Sequence, residues 1–390
     1  MGRSAAQKHR ACREDLGDRV RLKRQRLLDR RNLLRLLDTD TTGPTDRYLR
    51  VLRKAVVIQK ALTITAQNTM RRILAIDGGG IKGVFPASFL TSLEETLGIE
   101  NVGEYFDLIV GTSTGGIIAL GLGLEISGRN ILAFYEEHGP AIFSGSHKMR
   151  GYRSWFKSKY DPLPLRKALE TVFGIKRLGD SARRLVIPSL DLAKGEVHIW
   201  KTAHHPRFQT DHRASAVDVA MATAAAPTYF PTHRLASGIP LVDGGTWANN
   251  PVAIAVVEAI GILGWPPDEL RVLSVGCTST PLRFDWSRAQ SLGKLGWASK
   301  IVDVFMQGQS SGAMGMAMHL VPNRENIFRV SPIVGPQFTL DDVRLIPTLK
   351  GLGSAEARQS LPRLQATFFE QPASKFASLA GLQEPAPQRS

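Results

Sequence analysis

The chain has 390 residues, 43% hydrophobic and 22% charged, a soluble-globular balance that excludes a low-complexity or collagen-like polymer. Its formal charge is +15, yet residues 1–72 alone hold 19 Lys and Arg against 7 Asp and Glu. The basic surplus therefore describes an N-terminal arm, and no nucleic-acid partner is expected of the near-neutral body. Cys12 and Cys277 supply neither a disulfide framework nor a metal spacing, which suits a reducing compartment. No apolar signal core follows the N-terminal charges, so a cytoplasmic location is expected.

In chain order, residues 1–69 form a basic extension. Within it, 21–37 mixes Arg and Lys with Leu, as a membrane-surface or nucleic-acid arm would, or a solvated, disordered extension. Strand and helix signals then alternate. A short apolar run at 73–76 ends in Asp77 and three glycines. Over 85–97, Phe89, Leu90, Leu93 and Leu97 share one helical face, stopped by Gly98. Strands are expected at 106–110, 185–190, 197–200, 241–243 and 271–275, and helices at 117–124, 131–137, 217–225 and 251–260. Such alternation predicts a three-layer α/β/α fold around a mostly parallel sheet. Residues 108–124 carry no charge, but they read as a buried strand and helix, short of the ~20 residues a membrane span needs. Beyond 280 the pattern turns helical, with Met306, Met314, Met316 and Met318 in 298–320 suiting either a lid or acyl channel or plain core filling. The expected organisation is an extension at 1–69, a catalytic domain at 70–280 and a C-terminal helical or lid region at 281–390.

Three glycine-rich segments carry the chemistry. Gly111-Thr112-Ser113-Thr114-Gly115 follows a strand and precedes an apolar helix, the context of a nucleophile elbow, where small neighbours let a serine stand on a sharp turn. The serine needs a base. A histidine following the acid would complete a triad, but after Asp243 the only histidine is His319, and His204 and His205 fall in a polar loop expected at the surface. Asp243 ends a short strand and is followed by Gly244-Gly245, which lets the chain turn and aims the carboxylate into a cleft; an ordinary Asp-Gly turn is the alternative. Gly78, Gly79 and Gly80 lie between a strand and a helix, where their N–H groups can converge on an oxyanion. Gly78-x-Gly80-x-x-Gly83 also fits a dinucleotide fingerprint, but the second strand ends in the serine turn where that motif wants an acid.

Asp77-Gly-Gly-Gly-Ile-Lys-Gly83, Gly-Thr-Ser-Thr-Gly115 and Asp243-Gly-Gly, in this order, resemble the patatin-like phospholipase family, as do Ala-Ala-Pro-Thr-Tyr-Phe-Pro231 and Asn249-Asn-Pro251. The resemblance covers about 71–276. It implies a lipid acyl hydrolase with Ser113 as nucleophile, Asp243 as the second dyad member, Gly78 to Gly80 as the oxyanion loop and no metal. Lys82 stands where the family often has Arg, leaving a positive charge for a head group. Within the family the chain is similar to bacterial antiphage members switched on by cyclic nucleotides, through Gly139-Pro-Ala-Ile-Phe143, Lys159-Tyr-Asp-Pro162 and Lys201-Thr-Ala-His-His205. That implies a cyclic dinucleotide activator, with no further cofactor, and compatibility with self-association. Arg150, Arg153, Lys157 and Lys159, with Tyr152 and Trp155, form a candidate patch for such a ligand or for lipid head groups. The membrane phospholipid substrate implies peripheral action at the inner membrane. A constitutive acyl hydrolase of lipid metabolism is the alternative, and a nucleotide-binding oxidoreductase or interaction module a more distant one.

Overall fold

The computed structural model describes residues 70–144, 158–280, 285–293, 297 and 300–380. The extension at 1–69 and the candidate residues Arg150, Arg153 and Lys157 lie outside the described residues.

The strands are β1 (Arg71–Ile76), β2 (Leu108–Gly111), β3 (Arg184–Asp191), β4 (Glu196–Lys201), β5 (His233–Arg234), β6 (Pro240–Asp243), β7 (Leu270–Val275) and β8 (Ile327–Val330). The helices are α1 (Val84–Leu97), α2 (Thr114–Gly123), α3 (Gly128–Ile142), α4 (Pro162–Phe173), α5 (Ala216–Thr223), α6 (Gly245–Ala248), α7 (Val252–Val257), α8 (Trp286–Ser291), α9 (Ile301–Leu320) and α10 (Ile346–Phe368). One sheet runs β5-β6-β3-β2-β1-β7-β8, with β4 also on β3. The pairs from β3 through β2, β1 and β7 to β8 are parallel, while β4, β5 and β6 add antiparallel pairs.

Alternation along the strands explains the layers. In β1, Leu74 and Ile76 join a core shared with α1 to α5 and α10, whereas Ile73 and Ala75 join a second core shared with α7 and α9. All four are fully buried, as a parallel sheet covered on both faces requires. This is the expected α/β/α arrangement. The uncharged stretch at 108–124 divides into β2 and α2, and among the described residues no helix is long and apolar enough to cross a membrane.

Two features depart from the sequence expectation. Phe106 was expected to begin β2, but it precedes the strand and packs its ring against Phe368 and Phe369 of the C-terminal segment, 5.7 and 6.0 Å away. Residues after 280, read as helical, also supply β8 at the sheet edge, paired with β7. A four-residue strand after a Met-rich helix leaves too short an alternation to recognise. The Met-rich helix is α9, whose Ala313 and Ala317 are buried against α7, with Met314 and Met318 packed beside them. α10 lies on α1 through small side chains: Ser92 donates to Ser354 at 2.9 Å, and a Cβ on Gly353 would stand 2.6 Å from the Phe85 carbonyl oxygen.

Candidate active site

Ser113 sits between β2 and α2 with φ 55° and ψ −123°, a left-handed conformation that a non-glycine residue holds at a cost of roughly 1–3 kcal/mol. The neighbours explain how the turn closes. A Cβ on Gly111 would lie 2.0 Å from the Gly115 carbonyl oxygen, and one on Gly115 would lie 2.3 Å from that of Ile76. Side-chain bonds then hold the turn. The Ser113 N–H donates to Thr223 Oγ1 at 3.0 Å, Thr223 Oγ1 donates to the Pro188 carbonyl at 2.7 Å, and Thr112 Oγ1 donates to the Ala248 carbonyl at 2.6 Å. Ser113 therefore stands at the N-terminus of α2, where the helix dipole favours negative charge.

Asp243 ends β6. Antiparallel pairing with Ser189 of β3 brings it into the cavity that Ser113 lines, where the Ser113 hydroxyl interacts favourably with its carboxylate. The Gly245 N–H donates to Asp243 Oδ1 at 2.6 Å. Burial pushes the Asp243 carboxyl up to about 7, against the opposing pull of the Ser113 hydroxyl and the Gly245 amide. A carboxylate with that affinity accepts a proton from a hydroxyl far more readily than an exposed one does.

The glycine loop differs from expectation in one respect. The Gly78 N–H donates to the Asn249 carbonyl at 3.0 Å, so it is committed to the fold and not free for an oxyanion. Among the described residues the Gly79 and Gly80 N–H groups have no protein acceptor. Gly80 has φ +57°, and a Cβ there would lie 2.2 Å from the Leu340 carbonyl oxygen. The sequence motif spoke for three amides because spacing shows a loop but not which of its donors the tertiary structure occupies.

Ser113, Asp243, the glycine loop and Lys82 line one cavity of about 1610 Å³, whose apolar lining includes Phe134, Phe230, Phe338, Met306, Met314 and Met318. Burial lowers the affinity of the Lys82 ammonium for its proton, opposed by Cys277, Asp303 and Asp77. No histidine lies among the described lining residues. His319 is exposed in the last turn of α9. His204, expected at the surface, is buried: its Nε2 lies 2.9 Å from Glu258 Oε1 and its Nδ1 2.8 Å from Thr202 Oγ1, while Lys201 Nζ meets Glu258 Oε2 at 2.6 Å. Lys159, grouped by sequence with the basic patch, is ion-paired to Asp341, which also accepts from Tyr160 Oη at 2.6 Å.

Arg329 of β8 was missed entirely. It clasps Asp77 through two contacts, 2.8 and 2.5 Å, and donates to Ser274 Oγ at 2.8 Å. Desolvation raises the Asp77 carboxyl while Arg329 pulls it down. Asp77 starts the glycine loop, so this pair ties the loop to the sheet edge. Arg329→Met would strand a buried carboxylate and is expected to cost about 2–4 kcal/mol of stability. Denaturant unfolding checks this, and Asp77→Leu added to Arg329→Met should recover most of the loss.

The patatin-like phospholipase family profile matches residues 74–256, spanning the serine turn, the glycine loop and Asp243. A "cGAMP-activated phospholipase" of Pseudomonas aeruginosa is 34% identical over 302 residues, covering 74% of this chain and 88% of that one. The chain belongs to the patatin-like phospholipase family. A "cGAMP-activated phospholipase" of Vibrio cholerae is likewise 34% identical, over 64% of this chain and 72% of that one. "Patatin-like protein 2" of Arabidopsis thaliana is 32% identical, over 61% and 69%. The patatin-like fold accounts for the sheet described above, and the chain is a hydrolase of lipid esters.

Proposed function

We propose that Ser113 and Asp243 form the catalytic dyad of a phospholipase, and that a cyclic dinucleotide switches it on. The observation that carries the dyad is that the strained Ser113 and the buried Asp243 carboxyl line one apolar cavity together, with no histidine among its described lining. Asp243 takes the hydroxyl proton as Ser113 Oγ attacks the acyl carbonyl of a membrane phospholipid. The Gly79 and Gly80 amides receive the oxyanion, one such donor being worth about 3–4 kcal/mol of barrier. The tetrahedral species collapses to an acyl-Ser113, and Asp243 returns the proton to the departing lysophospholipid oxygen. Water, deprotonated by Asp243, then attacks the acyl-serine and frees the fatty acid. Lys82 supplies positive charge toward the phosphate. The organisation that serves this is a catalytic body from residue 70, completed by the segment after 280.

Regulation rests on the relatives named "cGAMP-activated phospholipase", the first of which this chain covers over 88% of its length. The reading is an antiviral defence effector acting peripherally on the inner membrane. Fatty-acid release from phospholipid vesicles, assayed with a panel of cyclic dinucleotides including cyclic GMP–AMP, is expected to be low without activator and to rise at least about tenfold (1.4 kcal/mol) with one. Equal rates throughout, together with no heat of binding by calorimetry, would leave the constitutive acyl hydrolase as the function.

A further inference from the structure

The cavity that holds Ser113 and Asp243 has lining residues of two kinds. Ser113 is 9% exposed and Asp243 4%, so they lie deep, whereas Val302, Phe305 and Ile333 line the same cavity while being 66%, 67% and 73% exposed. Large apolar side chains that both line a cavity and face solvent mark its mouth. Val302 and Phe305 are three residues apart on the first turns of α9 and so share a helix face. Lys300, just before them, lines the cavity too, and Trp297, whose carbonyl accepts the Lys300 N–H at 2.9 Å, is 41% exposed.

An exposed apolar group of this size calls for an occupant. We propose that Val302, Phe305 and Ile333, with Lys300 and Trp297 beside them, form the surface by which the chain seats on an anionic phospholipid bilayer. The proposal rests on the lipid-ester reading above and adds where the membrane meets the protein. Two observations favour a bilayer over a second copy of the chain. The patch borders the opening through which a lipid reaches Ser113, so a protein seated there would close that opening to the substrate. The sequence around it also has the composition of an interfacial segment. Residues 281–305 hold four basic side chains (Arg283, Arg288, Lys294 and Lys300) against Asp285 and Asp303, interleaved with Trp, Phe and Leu. Asp303 also lines the cavity beside Lys300, and Arg283 and Lys294 lie outside the described residues. Apolar side chains at the mouth would enter the acyl boundary while Lys300 extends its ammonium to the phosphates.

The test uses the full chain carrying Ser113→Ala, so that binding is read without hydrolysis. It is mixed with vesicles of equimolar phosphatidylglycerol and phosphatidylethanolamine, and separately with pure phosphatidylcholine, each with and without cyclic GMP–AMP, and floated. The Ser113→Ala chain is expected to float with the anionic vesicles. Adding Val302→Ser, Phe305→Ser and Ile333→Ser should weaken partitioning at least tenfold with the thermal transition unchanged. Should the triple variant prove unfolded, Phe305→Ser alone is expected to weaken it severalfold. Undiminished flotation of a folded variant overturns the proposal. So does conversion of an oligomer to a monomer with vesicle binding retained, which would make the patch a self-contact. Hydrolysis of the same vesicles by the unsubstituted chain is scored separately. Release of fatty acid with undiminished flotation sinks the docking surface alone, whereas no release from any lipid, dispersed or bilayer, sinks the functional reading.

Discussion

Ser113→Ala is expected to lower fatty-acid release from phospholipid vesicles by about 10⁴–10⁶-fold, as the loss of a nucleophile does in other serine hydrolases. The substitution removes only Oγ, and the Ser113 N–H keeps its bond to Thr223, so the fold should be unchanged. Ser113→Gly gives the same loss of activity but a different stability. At φ 55° and ψ −123° the serine backbone is strained, and glycine has no Cβ to resist that conformation. The relief of about 1–3 kcal/mol exceeds glycine's own entropic cost of about 0.5–1 kcal/mol. Ser113→Gly should therefore unfold at higher denaturant concentration than either Ser113→Ala or the unsubstituted chain. A Ser113→Ala protein that still releases fatty acid would move the nucleophile elsewhere. A Ser113→Gly protein no more stable than Ser113→Ala would show that the turn stores no strain.

Asp243→Asn should lower activity by about 10²–10⁴-fold and, above neutral pH, make the protein more stable. The sign follows from the raised carboxyl. An unfolded aspartate ionises near 3.8 and the folded Asp243 near 7, so between those values the folded chain binds the extra proton. Stability is therefore lost as pH rises from about 4 to about 7, and stays lost above it. Asn carries no charge to desolvate, so the gain from Asp243→Asn should be near zero below pH 4 and grow to about 3–4 kcal/mol by pH 8. The same titration governs turnover by the unsubstituted chain. A base must be unprotonated, so kcat/KM is expected to fall tenfold per pH unit below about 7. A pH profile flat down to pH 5 would remove Asp243 as the base, and Asp243→Asn with equal stability at pH 4 and pH 8 would mean the carboxyl is not held up by burial.

Two chain properties make this pair legible without coordinates and hide what surrounds it. The serine turn is largely a local event: Gly111 and Gly115 lie within two residues of Ser113, and a Cβ on Gly111 would clash with Gly115 itself, although one on Gly115 would clash with Ile76 at the end of β1. Strand, turn and helix periodicity are local too, and so the parallel sheet, the helices on both faces and the strand-end position of Asp243 could all be read in order. Even the burial of the uncharged stretch at 108–124 was legible, since only a covered strand and helix tolerate it.

The rest depended on partners far along the chain. Arg329 grips Asp77 across 252 residues, and nothing in a four-residue edge strand announces it. The Asn249 carbonyl takes the Gly78 N–H, which a glycine motif cannot reveal because the competing acceptor comes from another loop. His204 looked like a surface residue because its flanking sequence is polar. It is buried because Glu258, 54 residues on, and Thr202 satisfy both ring nitrogens. Composition and motif spacing determined by themselves that a glycine loop, a serine turn and an aspartate turn exist in this order on an α/β sheet. Only the tertiary structure decided which amides face the cavity, what anchors the loop and that the aspartate is desolvated, because hydrogen-bond competition and burial belong to residues in space and not to neighbours in sequence.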